Sequence, residues 1–155
     1  MKILGLIIIA LEITQCTSIK FDKHPPFRIK EATFNNWVGG MPGVKGVNIF
    51  FEYTSKKEIV FDSIFFANRI VKAKIKKIKD KNFVIGSINF STVKSKEDLI
   101  LHLNPKKEMQ NKIPSINKFP FKLKGNEAVI SYKEAGKIKY FKVKNIKKTK
   151  AKYFP

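Results

Sequence analysis

The chain has little of the residue types that build metal centres and disulfides. Its 155 residues include one cysteine and two histidines. A disulfide needs a second cysteine, and a usual zinc site needs about four cysteine, histidine or carboxylate ligands. His24 and His102 have no cysteine and no paired carboxylates near them in the sequence. We therefore expect no metal site, no cofactor and no disulfide within the chain.

Acidic residues are also scarce, with 12 aspartates and glutamates against 32 lysines and arginines. The sequence contains no Gly-x-Ser-x-Gly elbow, no Rossmann fingerprint and no kinase-like set of motifs. Glu127 and Glu134 flank a predicted hairpin rather than a cleft. We identify no catalytic residue, and an enzyme is the class of protein with the least support.

No hydrophobic run reaches the length of about 20 apolar residues that crosses a bilayer as a helix. The apolar run at residues 3–11 is nine residues long and follows Lys2. A positive residue followed by a run of this length is typical of a secretory signal peptide. We therefore predict that the protein is exported and that residues 1–15 are the signal peptide.

The single cysteine, Cys16, follows the apolar run after Glu12-Ile13-Thr14-Gln15. This arrangement resembles the lipobox of bacterial lipoproteins, with Ile13 and Thr14 suited to its outer positions and Gln15 where a small residue is usual. The resemblance implies that Cys16 carries a diacylglycerol and that the leader is cut before it. The alternative is an ordinary secreted protein with an unpaired thiol, which is a liability in an oxidising compartment.

Lipidation would place the protein in the bacterial cell envelope, tied to a membrane through its N-terminal lipid. The outer membrane, on its periplasmic side, is the expected location. We divide the chain into the signal peptide at 1–15, the lipidated cysteine and a tether at 16–26, a single β domain at 27–146, and a basic C-terminal tail at 147–155. Two prolines stiffen the tether, and the tail is expected to be frayed.

The net charge is +20, and the excess is mostly lysine. Such a surface attracts polyanions, among them nucleic acid, anionic lipid and acidic polysaccharide. An exported, acylated protein seldom meets nucleic acid, so we expect anionic lipid headgroups or envelope polysaccharide as partners. The predicted function is an anchored envelope protein with a non-catalytic binding or structural role. The alternative is a secreted, basic protein that binds nucleic acid or an anionic polysaccharide.

Short runs with alternating apolar residues recur along the chain, and helical patterns are absent. About eight or nine short strands joined by turns predict an all-β fold, an antiparallel β-sandwich, with an immunoglobulin-like sandwich or an open barrel as variants. The predicted strands lie at residues 27–34, 47–53, 59–66, 69–78, 83–91, 99–103, 127–133 and 137–143. We expect Val47, Ile49, Phe51 and Tyr53 to share one face, residues 79–82 to form a hairpin turn, and Gly86 to mark a bulge.

Four glycines and a proline make residues 35–46 a predicted loop. Trp37 lies at its start and is a candidate ligand-binding residue, because tryptophan offers a large contact area at little entropic cost. The alternative is that the ring folds back over the edge of the core, since tryptophan is usually highly buried.

Lys72, Lys74 and Lys76 alternate with apolar residues within the predicted strand at 69–78. A strand would project all three from one side, with about 7 Å between neighbours. We regard them as a second candidate ligand-binding group, suited to anionic headgroups. The alternative is that they only protect an edge strand and keep the domain soluble.

The segments 119–123, 127–132 and 139–143 (FPFKL, EAVISY and KYFKV) are the most distinctive part of the domain. They resemble the C-terminal hairpin of small uncharacterised bacterial envelope lipoproteins. This resemblance implies export and lipidation and no particular activity. We expect Ile130, Tyr132 and Tyr140 in this hairpin to help close the core.

Overall fold

The computed structural model describes residues 19–91 and 119–155, and these residues form strands and no helix. The predicted strand at 99–103 and the connection after it lie outside the described residues. The ten strands are β1 Phe27–Val38, β2 Lys45–Ser55, β3 Val60–Phe66, β4 Arg69–Lys72, β5 Lys74–Ile78, β6 Lys81–Asn89, β7 Ala128–Glu134, β8 Lys137–Val143, β9 Lys147–Lys148 and β10 Lys152–Tyr153.

The strands form two sheets that pack face to face. The six-stranded sheet has the order β10-β1-β2-β6-β5, with β9 also paired to β1, and the four-stranded sheet has the order β4-β3-β7-β8. All pairs are antiparallel except those of the short β9 and β10, which run parallel to β1. The prediction of an all-β, antiparallel β-sandwich is confirmed.

The core lies between the two sheets and follows from strict alternation along the strands. On β2, Val47, Ile49, Phe51 and Tyr53 are all buried, as the sequence predicted. The residues between them face outward, because successive side chains of a strand point to opposite faces. Burying the apolar face of each sheet against the other is what holds the two layers together.

Aromatic contacts across the core show that the two sheets are aligned. Phe61 of β3 lies 5.0 Å from Phe27 at the start of β1 and 4.9 Å from Tyr53 near the end of β2. Farther along β1, Phe34 lies 5.2 Å from Phe66 at the end of β3. Corresponding ends of the two sheets therefore meet, which gives the sandwich two distinct ends.

We call one of them the turn end, because it holds the β2–β3 turn at 56–59, the β5–β6 turn at 79–80 and the β7–β8 turn at 135–136. The opposite, loop end holds the β1–β2 loop at 39–44, the β3–β4 turn at 67–68 and the C-terminus. Lys79 and Asp80 have φ angles of 45° and 61°, as in the two-residue turns that join twisted antiparallel strands. The predicted hairpin at this turn is confirmed.

A smaller apolar cluster covers the outer face of the four-stranded sheet. Phe65 and Val129 project from that face, and Phe121 packs on them with its ring 4.8 Å from that of Phe65. Tyr140 of β8 joins the same cluster, at 5.5 Å from Phe121. The segment that precedes β7 thus closes this face, and both faces of β3 and β7 are buried, as expected of central strands.

The predicted strand at 69–78 is divided in the structure. It breaks at Ala73, so that β4 pairs with β3 in one sheet while β5 pairs with β6 in the other. The backbone N–H of Ala73 donates to the carbonyl of Asp62 at this corner. The alternation of side chains continues through the corner, and for that reason the sequence pattern does not reveal it.

Three other local predictions are wrong. The loop at 35–46 is shorter, because β1 continues to Val38 and β2 starts at Lys45. Gly86 marks no bulge, since the pairing of β6 is regular on both sides, and a Cβ there would lie 3.0 Å from Ile64 of the opposite sheet. The tail is not frayed, because Ile146 is buried and both β9 and β10 pair with β1.

The buried hairpin β7–β8 allows a direct test of the core. Ile130 is fully buried, so Ile130→Ala should lower the free energy of unfolding by about 2–5 kcal/mol. Ile75 is 51% exposed on β5, and Ile75→Ala should change it by no more than about 0.5 kcal/mol. Urea denaturation measures both, and equal effects of the two substitutions would contradict this description of the core.

Candidate binding surfaces

The structure distributes the predicted site residues over different places. Cys16 lies outside the described residues. Trp37 is near the loop end of β1, Lys72 ends β4, and Lys74 and Lys76 belong to β5. The fold therefore does not bring Trp37 and the lysines into one pocket.

Trp37 is part of a strand rather than of a loop, and its ring lies on the outer face of the six-stranded sheet. It pairs with Gly46 of β2. A Cβ at Gly46 would collide with the carbonyl oxygen of Ile88 and lie 2.5 Å from two carbons of the Trp37 ring. The missing side chain of Gly46 is what lets the indole lie flat against the sheet.

The C-terminal tail covers the other side of this tryptophan. The ring of Phe154 lies 6.4 Å from that of Trp37 in an edge-on arrangement. The backbone N–H of Phe154 donates to the carbonyl of Val38, and Pro155 lies against Gly40. Trp37 is half-buried as a result.

Two polar atoms beside this contact are buried without a hydrogen-bond partner among the described residues. They are the indole nitrogen of Trp37 and the side-chain oxygen of Asn35, which stands two residues earlier on the same face. Buried donors and acceptors are satisfied in most proteins, because an unpaired group costs free energy. Both atoms lie on the outer face of β1 near the loop end, and neither is accessible from the surface of the described residues.

The loop end carries an unusually exposed apolar surface around Trp37. The exposed fractions are 66% for Met41, 78% for Tyr153 and 50% for Phe154. We call Trp37, Met41, Tyr153 and Phe154 the aromatic tip. A shallow groove of about 280 Å³ runs beside Trp37 and Gly46. Two exposed lysines lie beside the tip, because Lys45 pairs with Val38 and Lys152 pairs with Trp37.

Sequence reasoning missed Met41, Tyr153 and Phe154. One signal in the sequence could have pointed to Tyr153 and Phe154. They are two adjacent aromatic residues in a lysine-rich tail, and a frayed tail has no need of aromatic residues. Nothing in the sequence indicated Met41 beyond its place in a glycine-rich loop. Exposed aromatic rings beside cations suit a ligand with apolar faces and negative charge.

The predicted lysine ladder spans both sheets. Lys72 lies opposite Ser63 on the outer face of the four-stranded sheet, while Lys74 and Lys76 lie opposite Ile85 and Phe83 on the outer face of the other. All three lysines are exposed, and the described acidic side chains form no ion pair with them. They line the flank formed by β4 and β5, with Lys76 nearest to the turn end.

Within the predicted tether, residues 19–22 form a strap that is docked on β8. Phe21 forms a bridge with Tyr140, and the N–H of Asp22 donates to the Tyr140 carbonyl at 2.7 Å. The Tyr132 hydroxyl donates to the Asp22 carboxylate at 2.5 Å, and Lys139 lies 3.4 Å from the same carboxylate. The strap is therefore held by backbone and side chain together.

The strap changes the acidity of the groups that hold it. The hydrogen bond from Tyr132, and after it the one from the backbone N–H of His24, keeps the pKa of the Asp22 carboxyl below its usual value. Burial, and after it the bond to Asp22, raises the pKa of the Tyr132 hydroxyl. A hydrogen bond to Glu134 raises the pKa of Lys139. Near neutral pH the strap thus joins a carboxylate, a neutral phenol and an ammonium group.

The strap predicts a pH-dependent contribution to stability. Because the pKa of Asp22 is lowered by folding, its stabilising effect is complete above the usual value of 3.8 and disappears as the pH falls through the lowered value. Tyr132→Phe keeps the ring and removes the hydrogen bond. It should cost about 1.5–3 kcal/mol at pH 7, the usual range for a hydrogen bond to a charged group, and less at pH 2–3. Thermal unfolding at several pH values measures the difference.

Tyr140→Phe is the matched control. The ring of Tyr140 is packed in the outer cluster, but no described carboxylate accepts a hydrogen bond from its hydroxyl. Its effect on stability should be small and the same at both pH values. If the cost of Tyr132→Phe is also independent of pH, the bond to Asp22 does not stabilise the fold.

Within the described ranges 19–91 and 119–155, no three histidine, cysteine, aspartate or glutamate side chains lie close enough together to hold a metal ion. The same part of the chain contains no helix long and apolar enough to cross a membrane.

Neither the families of known proteins, nor curated proteins, nor solved structures contain a match to this chain.

Proposed function

We propose that this protein is a lipid-anchored protein of the bacterial cell envelope with a non-catalytic binding role. The leader at 1–15 and the single cysteine at position 16 support export and lipidation. The docked strap is consistent with an anchor at Cys16, because its first described residue, Ile19, comes only three positions after that cysteine. A lipid on Cys16 would therefore hold the folded domain close to the membrane rather than on a long flexible tether.

The observation that carries the binding role is the exposed aromatic tip at the loop end. β1 has 12 residues, so Val38 lies about 36 Å from Phe27 at about 3.3 Å per residue. The strap docks near the start of this strand, where the ring of Phe27 lies 5.1 Å from that of Tyr132. An anchored domain would present the aromatic tip away from its own membrane, where it is accessible to other components of the envelope.

The chemistry of the tip favours an acidic envelope polysaccharide as the ligand. Aromatic rings pack against the C–H faces of sugar rings, and the lysines beside them attract carboxylate or phosphate groups. Headgroups of the anchoring membrane are a poorer match for the tip, because the tip is about 36 Å from the start of β1, near which the strap docks.

Lipidation is tested by substitution of the cysteine. A fatty-acid analogue fed to the expressing bacteria should label the wild-type protein and not Cys16→Ser, because the thiol of Cys16 is the acceptor. The wild-type protein should also partition into the detergent phase, and the variant should lose this behaviour. Equal labelling of both proteins would exclude Cys16 as the anchor.

Ligand binding is tested through Trp37, which is the only tryptophan of the chain. Titration of the lipidated protein in neutral detergent micelles with polygalacturonate should change the fluorescence of Trp37 in a saturable way. High salt should weaken this binding, because the lysine contribution is screened. Phe154→Ser should weaken it several-fold, since Phe154 is 50% exposed and its ring lies 6.4 Å from that of Trp37.

Ile75→Ser is the matched control for this titration. Ile75 is also strongly exposed, at 51%, but it lies on β5 at the opposite edge of the sheet. The control should bind like the wild type, and neutral dextran should bind more weakly than polygalacturonate. Tighter binding of duplex DNA than of either polysaccharide would favour the alternative function, a secreted protein that binds nucleic acid. No fluorescence response to any of these polymers would remove the tip as the binding surface.

A further inference from the structure

We infer that the turn end of the sandwich, together with the strap, is a docking surface for an anionic lipid bilayer. The inference rests on the proposed anchoring through Cys16, and it adds which surface of the domain meets the membrane and which chemistry holds it there. Three independent features lead to it: the reach of the strap, an exposed apolar groove, and the lysines of the turns.

The reach of the strap limits how the domain can stand on a membrane. Five positions separate Cys16 from Phe21, and a chain covers at most about 3.6 Å per residue, so Phe21 stays within about 18 Å of the lipidated residue. Phe21 pairs with Tyr140, which is three residues from the β7–β8 turn, or roughly 10 Å from the turn end. The loop end is then roughly 25 Å farther away, beyond this reach.

An apolar groove lies between the strap and β8, on the side where the anchor enters. Ile19 and Phe21 of the strap are 39% and 38% exposed, and Ile138 of β8 is 51% exposed. Together they line an open groove of about 400 Å³. Exposed isoleucine and phenylalanine side chains beside lysines are what an interfacial membrane contact uses, because the apolar groups enter the headgroup boundary while the cations remain at the phosphates.

The turns add positive charge on the same end of the domain. Lys56 and Lys57 lie in the β2–β3 turn, Lys79 in the β5–β6 turn, and Lys137 follows the β7–β8 turn. All four are exposed, and none forms an ion pair with a described acidic side chain, whereas Lys139 is occupied by Asp22 and Glu134. These unpaired lysines, on three separate turns, form a basic rim that suits anionic headgroups.

The orientation is tested on the full, lipidated chain bound to vesicles. Lipidation consumes the thiol of Cys16, so a cysteine introduced at Ile138→Cys or at Met41→Cys can carry a fluorescent label alone. Met41 is 66% exposed at the loop end and serves as the matched position. In vesicles of phosphatidylcholine and phosphatidylglycerol, a quencher on the lipid headgroups should quench the label at position 138 several-fold more than the label at position 41.

The lysines are tested by two variants that remove the same charge. Lys56/Lys57/Lys79→Gln should reduce the quenching at position 138 several-fold, and Lys72/Lys74/Lys76→Gln should change it little. The preference for anionic over pure phosphatidylcholine vesicles should disappear at 1 M salt, where the Debye length falls to about 3 Å. If the second variant reduces the quenching more than the first, the lysines that contact the bilayer are those on β4 and β5, and the basic rim is not the contact surface.

The possible results distinguish a wrong docking surface from the absence of a lipid anchor. If the protein floats with the vesicles but positions 138 and 41 are quenched equally, the anchor is real and the docking surface is wrong. If the wild type floats no better than Cys16→Ser, the proposed anchoring fails and the docking surface fails with it. Greater quenching at position 41 would place the aromatic tip at the bilayer instead.

Discussion

The burial of Tyr132 joins the core of the domain to its N-terminal strap. Its ring is fully buried and packs edge-on against Phe27, where the two sheets meet. Its hydroxyl reaches the edge of the core and donates to Asp22. A buried phenol needs a partner for its O–H, and here the partner belongs to a segment that would otherwise have little reason to be ordered. One side chain thus closes the core and holds the strap in place.

Both ends of the chain protect strand edges, which leaves the remaining surfaces for binding. The tail covers part of the edge of β1 through β9 and β10, and the strap bridges the edge of β8. The opposite edges, β4 and β5, carry the exposed Lys72, Lys74 and Lys76, and charged edges oppose pairing with another chain. The same tail residues serve both purposes. By pairing with β1 the tail protects that edge, and it also brings Tyr153 and Phe154 to the loop end, where they form part of the aromatic tip.

Much of the fold follows from alternation, and the failures have a common cause. Alternation identified the buried face of β2, the β5–β6 hairpin and the inner face of β7, because one face of each of these strands is apolar. It missed the break at Ala73, because a strand that crosses from one sheet to the other keeps the same inside and outside. It also missed the pairing of the tail, whose two short strands contain mainly lysine and gain their order from backbone bonds to β1.

For the candidate binding surfaces too, some features follow from the sequence and others only from the tertiary structure. The sequence by itself determined the single cysteine, the excess of lysine and the apolar faces of the strands, because each is a property of composition or of neighbouring residues. Only the tertiary structure decided that Trp37 meets Phe154, that Asp22 meets Tyr132, and that the strap and the aromatic tip lie at opposite ends. These contacts join residues more than 100 positions apart, and they form because the tail pairs with β1 and the strap bridges β8, which no local pattern encodes.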